Sequence, residues 1–230
     1  MDDAIPIQWK RISVEAMAIV ASILLAFSID TWWEYRNERE DEQEVLVNLL
    51  VEFEKSRVEL DRSLRTLTGS QDAAKQLLTF AGKTLTDDDK AVIDHNIGEL
   101  FTYFTFDPPF GSLESLTSAG QLNLILNTEL RTRLAGWSGL VLDFKEDEGE
   151  LDYLMYRNLG PMLDAINPLP NVEDAAPGLF QTQWQEAFSD IRLLNSIGNV
   201  SYWVDASLEE ASSLGSEIDQ IITLIETEIE

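Results

Sequence analysis

The chain contains no cysteine. That excludes disulfides, thiolate zinc sites and thiol nucleophiles, and it leaves the redox compartment open. It has one histidine, His95, within DKAVIDHNIGELF. A single imidazole with no partner constellation points to a surface or packing residue rather than a base or ligand. Positive charge is also scarce. Sixteen Lys and Arg stand against 42 Asp and Glu in 230 residues, a formal net charge of −26. Such a surface repels polyanions, so no nucleic-acid partner is expected.

No Gly-rich phosphate loop, nucleophile motif or metal-ligand spacing is present. The reading is therefore of a non-enzyme with no catalytic residue, cofactor or metal. Asp87, Asp88 and Asp89 are the nearest thing to a chelating run. They belong instead in the first turn of a helix behind an N-cap at Thr86, where the dipole favours them and their side chains diverge. After Arg192 every charged residue is acidic, which reads as a solvated helix face.

What the chain does have is one long apolar run, Ile12 to Ile29, followed by Asp30 and the pair Trp32-Trp33. From residue 12 to 33 a helix rises about 33 Å, close to a bilayer core of about 30 Å. Trp9, Lys10 and Arg11 at one end, and Trp32 and Trp33 at the other, suit the two membrane interfaces. A cleaved export signal is the competing reading, with Ala26-Phe27-Ser28 as a small-x-small site. No Gly or Pro breaks the helix before that site, and the helical pattern continues through WWEYRNEREDEQEVLVNLL. A retained anchor is expected.

Orientation is nearly a tie in basic residues, Lys10 and Arg11 against Arg36 and Arg39. The basic pair abutting the span favours a cytoplasmic N-terminus, with the body on the periplasmic side of a bacterial inner membrane.

At 100° per residue, Glu15, Ala18, Ser22, Ala26 and Asp30 share one helix face of about 120°. Small residues four apart allow two helices to approach closely in lipid, so this face predicts contact with another transmembrane helix. That helix would belong to a second copy or to a larger membrane complex. Glu15 has two readings. In one it pairs with Arg11 and reaches headgroup water; in the other it is an intramembrane site facing a basic group or titrating on a partner. Identical copies packed on this face would crowd their Glu15 carboxylates and force protonation.

The remainder reads as helical. Leu46, Leu49, Leu50, Phe53, Leu60, Leu64 and Leu67 form a seam with no break before Gly69, so anchor and first body helix are expected to form one rod. Gly69-Ser70 then reads as a stop and a new N-cap, with the next helix ending at Gly82. Leu100 to Phe106 continues a helical pattern, and FDPPFG is a loop. A short helix, a Gly120 turn and a helix capped at Asn127 or Thr128 follow. That last helix carries an apolar face of Leu130, Leu134, Trp137, Leu140, Val141, Phe144, Leu151, Leu154 and Leu159. Asn167 to Gly178, with three prolines, is the clearest loop, and a final helical region runs from about Gln183 with Ile218, Ile221, Ile222, Ile225 and Ile229 on one stripe.

The expected fold is all-α, an N-terminal transmembrane helix continuing into an antiparallel helical bundle with coiled-coil-like spacing. The segments are a tail (1–11), an anchor (12–33) and a bundle domain (34–230) with a Pro-rich loop (167–178).

VEAMAIVASILLAFSIDTWWEYRNEREDEQEVLVNLLVEFEKSRVEL (Val14 to Leu60) and SLESLTSAGQLNLILNTELRTRLAGW (Ser112 to Trp137) resemble two blocks of a family of uncharacterised bacterial single-span membrane proteins. The blocks are an anchor with a Trp pair, a charged segment and a leucine-spaced helix, and a leucine-rich stretch with a small-Gly turn. Together they cover about a third of the chain. The resemblance implies a one-pass anchor and a helical extracytoplasmic domain, with no assigned activity.

The function expected is that of a structural or interaction protein, an accessory or scaffold subunit docking through its anchor stripe and helical body. The alternatives are an extracytoplasmic ligand sensor, which the short stretch before the span disfavours, and a proton-motive-force-coupled component using Glu15.

Overall fold

The helix that begins in the apolar run passes through the expected membrane boundary without interruption. α1 runs from Trp9 to Leu78, 70 residues, or about 105 Å at 1.5 Å per residue. The structure is a computed structural model that describes residues 9–102, 105–166 and 182–229, with side chains for all of these except 9–14 and 16. Among the described residues there is no strand. The chain is all-α, a helical bundle in which the second half of α1 is the spine.

After α1 come α2 (Asp87–Leu100) and α3 (Gly111–Ser118), then a 3₁₀ turn, Leu122–Leu124. α4 (Thr128–Tyr153) leads through a π-helical stretch, Leu154–Leu159, into α5 (Gly160–Asp164). α6 (Trp184–Ala187) and α7 (Ile191–Glu228) complete the order.

Three long helices share the core. α7 lies antiparallel on α1, as three pairs of side-chain contacts show. Gln43 donates to the Glu228 carbonyl at 2.8 Å, Arg57 to Asp219 at 2.9 Å and Gln71 to Asp205 at 2.7 Å. α4 runs beside them, its Trp137 ring 5.1 Å from that of Phe53. Leu46, Leu49, Phe53, Leu60 and Leu67 of the predicted seam are all buried, as are Ile218, Ile221 and Ile225. Leu140 is the exception on α4: it is 43% exposed.

Local signals set several boundaries. Thr86 caps α2 with a reciprocal capping box to Asp89, with Asp87–Asp89 in the first turn. The Asn127 side chain accepts the Glu129 and Leu130 N–H groups at 3.0 Å and starts α4. Gly82 and Gly120 take positive φ, +66° and +68°, in the two turns that reverse the chain after α1 and α3. Asp190 caps α7 through the Arg192 N–H, so the last helical region is two helices rather than one.

Two expectations are corrected. Gly69-Ser70 is not a stop: α1 continues through it. A mid-helix glycine costs about 1 kcal/mol, but here Ser70 is buried and donates to the Leu100 carbonyl at 3.2 Å, closing the end of α2. Nor does the helical pattern carry past Leu100: α2 ends there with Phe101 as its C-cap, and Thr105 and Phe106 are not helical. The Asn167–Gly178 loop lies outside the described residues.

Long-range brackets made by buried carboxylates hold the connecting segments to α1. Glu52 accepts the Ser112 N–H at 2.6 Å and the Leu113 N–H at 3.1 Å, satisfying two orphan donors at the start of α3. Glu42 accepts the Leu126 N–H at 2.6 Å and is paired with Arg39. Replacing Glu52 by Ala strands two helix-start donors, the buried one at Leu113 and the half-buried one at Ser112. The urea unfolding free energy should fall by about 2–3 kcal/mol, with Glu52→Gln, which keeps one acceptor oxygen, losing distinctly less.

Candidate functional site

The residues most in need of a functional account lie on the first third of α1. This helix is long and apolar enough to cross a membrane. Its best 18-residue window has a mean hydropathy of 1.4, and none of that window is buried within the molecule. Met17, Ile19, Val20, Ile23, Leu24, Leu25, Phe27 and Ile29 are all about half exposed or more. A soluble core helix would have this surface covered by its own chain.

The predicted stripe is intact as geometry. Glu15, Ala18, Ser22, Ala26 and Asp30 are all exposed, on uninterrupted helix. The Ser22 hydroxyl donates to the Ala18 carbonyl at 2.8 Å, so its polarity is satisfied inside the helix and the stripe stays smooth. Ser28 does the same to Leu24 at 2.7 Å. On the other side of the helix, Leu24, Phe27, Ser28, Thr31, Trp32 and Tyr35 line a shallow groove. The structure brings the five stripe residues onto one side of α1, and among the described residues no other helix lies against them.

At the junction the Trp32 and Trp33 rings sit 6.4 Å apart. Being successive on a helix, they project to different sides, Trp33 with the stripe and Trp32 with the groove. Trp9, Lys10 and Arg11 belong to the α1 backbone, but their side chains, and with them the Arg11–Glu15 pair, lie outside what the structure describes. Beyond the Trp pair, Arg36 and Glu40 form an i,i+4 ion pair at 3.0 Å, and the Arg39 guanidinium lies 5.4 Å over the Tyr35 ring. Asn127 donates to the Glu228 side chain at 2.8 Å where the Gln43 and Glu42 contacts also gather. The lower end of the bundle is thus tied to α1 within about ten residues of Trp33.

Within the body, two carboxylates are pushed well above the usual range. Glu148 is buried and held up to about 7, chiefly by loss of water; the Phe106 N–H it accepts at 2.8 Å opposes the shift, and the Asp107 charge adds to it. Glu210 of α7 is raised to about 7 by burial, by its hydrogen bond with Asp147 and by the charges of Asp147 and Asp143. His95 is exposed. Among the described residues no three His, Cys, Asp or Glu side chains are grouped to hold a metal. Sequence reasoning does not single out Glu42, Glu52 or Glu148, because their partners are 42 to 84 residues away. Their only signal in the sequence is an acidic residue on the apolar side of a helix.

A carboxyl whose folded pKa is raised favours the native state when protonated, and that contribution is lost as pH rises through the folded value. Glu148→Gln keeps an acceptor for Phe106 and removes the titration. Relative to the parent it should gain on the order of 2 kcal/mol between pH 5 and pH 8, read from urea unfolding at the two pH values. Equal pH profiles for the two chains would contradict the burial argument. Comparison with protein-family models, with curated proteins and with solved structures found no match to this chain.

Proposed function

We propose that the chain is a single-pass membrane protein whose helical body is a rigid docking unit, an accessory or scaffold subunit of a membrane assembly. The observation that carries this reading is the division of one helix into two environments. Residues 17 to about 34 are apolar with no intramolecular cover, while residues 42 to 77 are the spine of a packed core. A protein built so exposes to lipid what water would reject and lends the bilayer a fixed extramembrane shape.

The Trp pair marks one interface, and the basic pair before the span supports a cytoplasmic N-terminus with the body on the outer side of a bacterial inner membrane. The two-block resemblance to single-span proteins supports the same topology. The role proposed is binding, not catalysis.

In alkaline carbonate the full-length chain should stay with the membrane pellet. Ile23→Arg, costing about 3 kcal/mol at mid-span, should release a measurable fraction. Purified from its native membrane in mild detergent, the chain should bring down a stoichiometric partner, a second copy or a larger membrane protein. Ala18→Leu with Ser22→Leu should weaken that recovery. A lone monomer, indifferent to both substitutions, would overturn the docking role.

A further inference from the structure

The body of α1 has a second face that nothing among the described residues covers. Val47, Val51 and Val58 are 48%, 44% and 51% exposed, on a helix whose other side is the buried seam. At 100° per residue the three valines fall within about 40° of one another, and roughly 150° from the line of Leu46, Leu49, Phe53 and Leu60. They lie on the side of α1 away from its buried seam. β-branched side chains in a row on an exposed helix face are poorly used in water, where they gain neither burial nor helix propensity.

The charges beside the row differ from those of the rest of the surface. Between residues 40 and 65 the charged members of this strip are Glu40, Glu44, Glu54, Lys55, Asp61, Arg62 and Arg65, four acidic and three basic, with Asp61 already paired to Arg57. The whole chain has 42 acidic residues and 16 basic. Two copies of so acidic a protein meet the least repulsion here. Glu54 and Lys55 are both exposed, lie on opposite flanks of the valine row and make no ion pair among the described residues. Two copies anchored in one membrane are parallel, and a two-fold axis along the row sets Glu54 of one beside Lys55 of the other, as flanking charges do in parallel helix pairs. Glu40 is already neutralised by Arg36.

We propose that two copies of the chain pair in parallel along the back of α1, through Val47, Val51 and Val58, with Glu54 and Lys55 bridging the two chains. This deepens the docking role and rests on it, because a shared membrane orientation is what makes the pair parallel. The bundles then lie on the outside, and the same side of α1 carries Ala18, Ser22 and Ala26 into the span. A second copy cannot use the opposite, seam side: its own α1 would run into α7 of the first.

The absence of cysteine makes the test clean. Val47→Cys, Val51→Cys and Val58→Cys, each in the full-length chain in native membranes, should give a disulfide-linked dimer on mild oxidation. The yield should be at least tenfold above that of Leu142→Cys and Tyr202→Cys, exposed positions elsewhere on the body. Adding Val51→Glu and Val58→Glu to the Val47→Cys chain should cut its cross-linked yield about tenfold, the change that 1.4 kcal/mol brings. All three side chains are exposed, so the fold is not at stake.

No dimer at any valine position, or equal yields at the control positions, would overturn the pairing. Cross-linking to a species of another mass would assign the face to a foreign partner and overturn it too. Carbonate extraction of the same samples separates the two readings. A chain that is released yet cross-links refutes the membrane anchor and keeps the pairing; a chain that is retained but not cross-linked does the reverse.

Discussion

The rest of the structure depends on the unbroken hydrogen-bond ladder of α1. Inside a bilayer every backbone N–H and C=O must find a partner within the segment, and a helix does this without help. In α1 the i to i−4 ladder runs unbroken past Trp33, Arg36 and Arg39 into the bundle, where the seam from Glu42 to Leu77 takes over its support. No glycine or proline occurs between residues 9 and 68, so no hinge separates the two environments. Residues 34–41 have few buried contacts, and their local stability comes from the ladder itself together with Arg36–Glu40, Arg39–Glu42 and the Arg39–Tyr35 stacking. On the proposed topology the bundle's angle to the membrane is a property of one helix rather than of a linker.

An acidic chain must also place its carboxylates somewhere, and this one uses several as structural acceptors. Glu42, Glu52 and Glu148 are buried, and each takes backbone N–H groups from a segment that has no regular partner of its own. Carboxylates at loop and helix-start amides are satisfied by the same logic that makes Asp and Glu good caps. The strategy has a cost in pH range. Glu148 and Glu210 sit where ionisation and burial conflict, so the part of the body around residues 143–148 loses stability as pH rises from the ordinary carboxylate range to about 7.

How much of this is legible in the sequence depends on the range over which the cause acts. The caps at Thr86 and Asn127, the turns at Gly82 and Gly120 and the seam on α1 are local or periodic, and they read correctly. Gly69 misleads because its local signal is overridden by a contact 30 residues away, Ser70 with Leu100. The π-helical stretch before Pro161 is invisible to periodicity. There the Gly160 N–H bonds to the Met155 carbonyl, five residues back, widening the helix ahead of a ring that would otherwise crowd it. The in-span stripe is legible as a face, yet nothing in one chain can display what lies against it. The valines on the back of α1 have the same spacing as the leucines on its front. Only the three-dimensional placement of α4 and α7 decides which row is core and which is surface.

Rigidity has a mechanical consequence that follows from length alone. From Trp33 to Leu78 α1 extends about 68 Å. Transmembrane helices change tilt with hydrophobic thickness and with the packing of their neighbours. A change of about 10° at the membrane displaces the far end of such a rod by about 12 Å, with no flexible joint to absorb it. The elements at that far end are α2, α6 and the turn at Gly82, held by Trp184 to Asp94 and by the Gly82 N–H to the Phe188 carbonyl. On the proposed topology, whatever fixes the packing of the span therefore fixes where this distal cap stands above the membrane. In the proposed arrangement, helix contacts within the bilayer and along the back of α1 would position the whole body, and a scaffold with its spine continuous through the interface would hold that position without a second anchor.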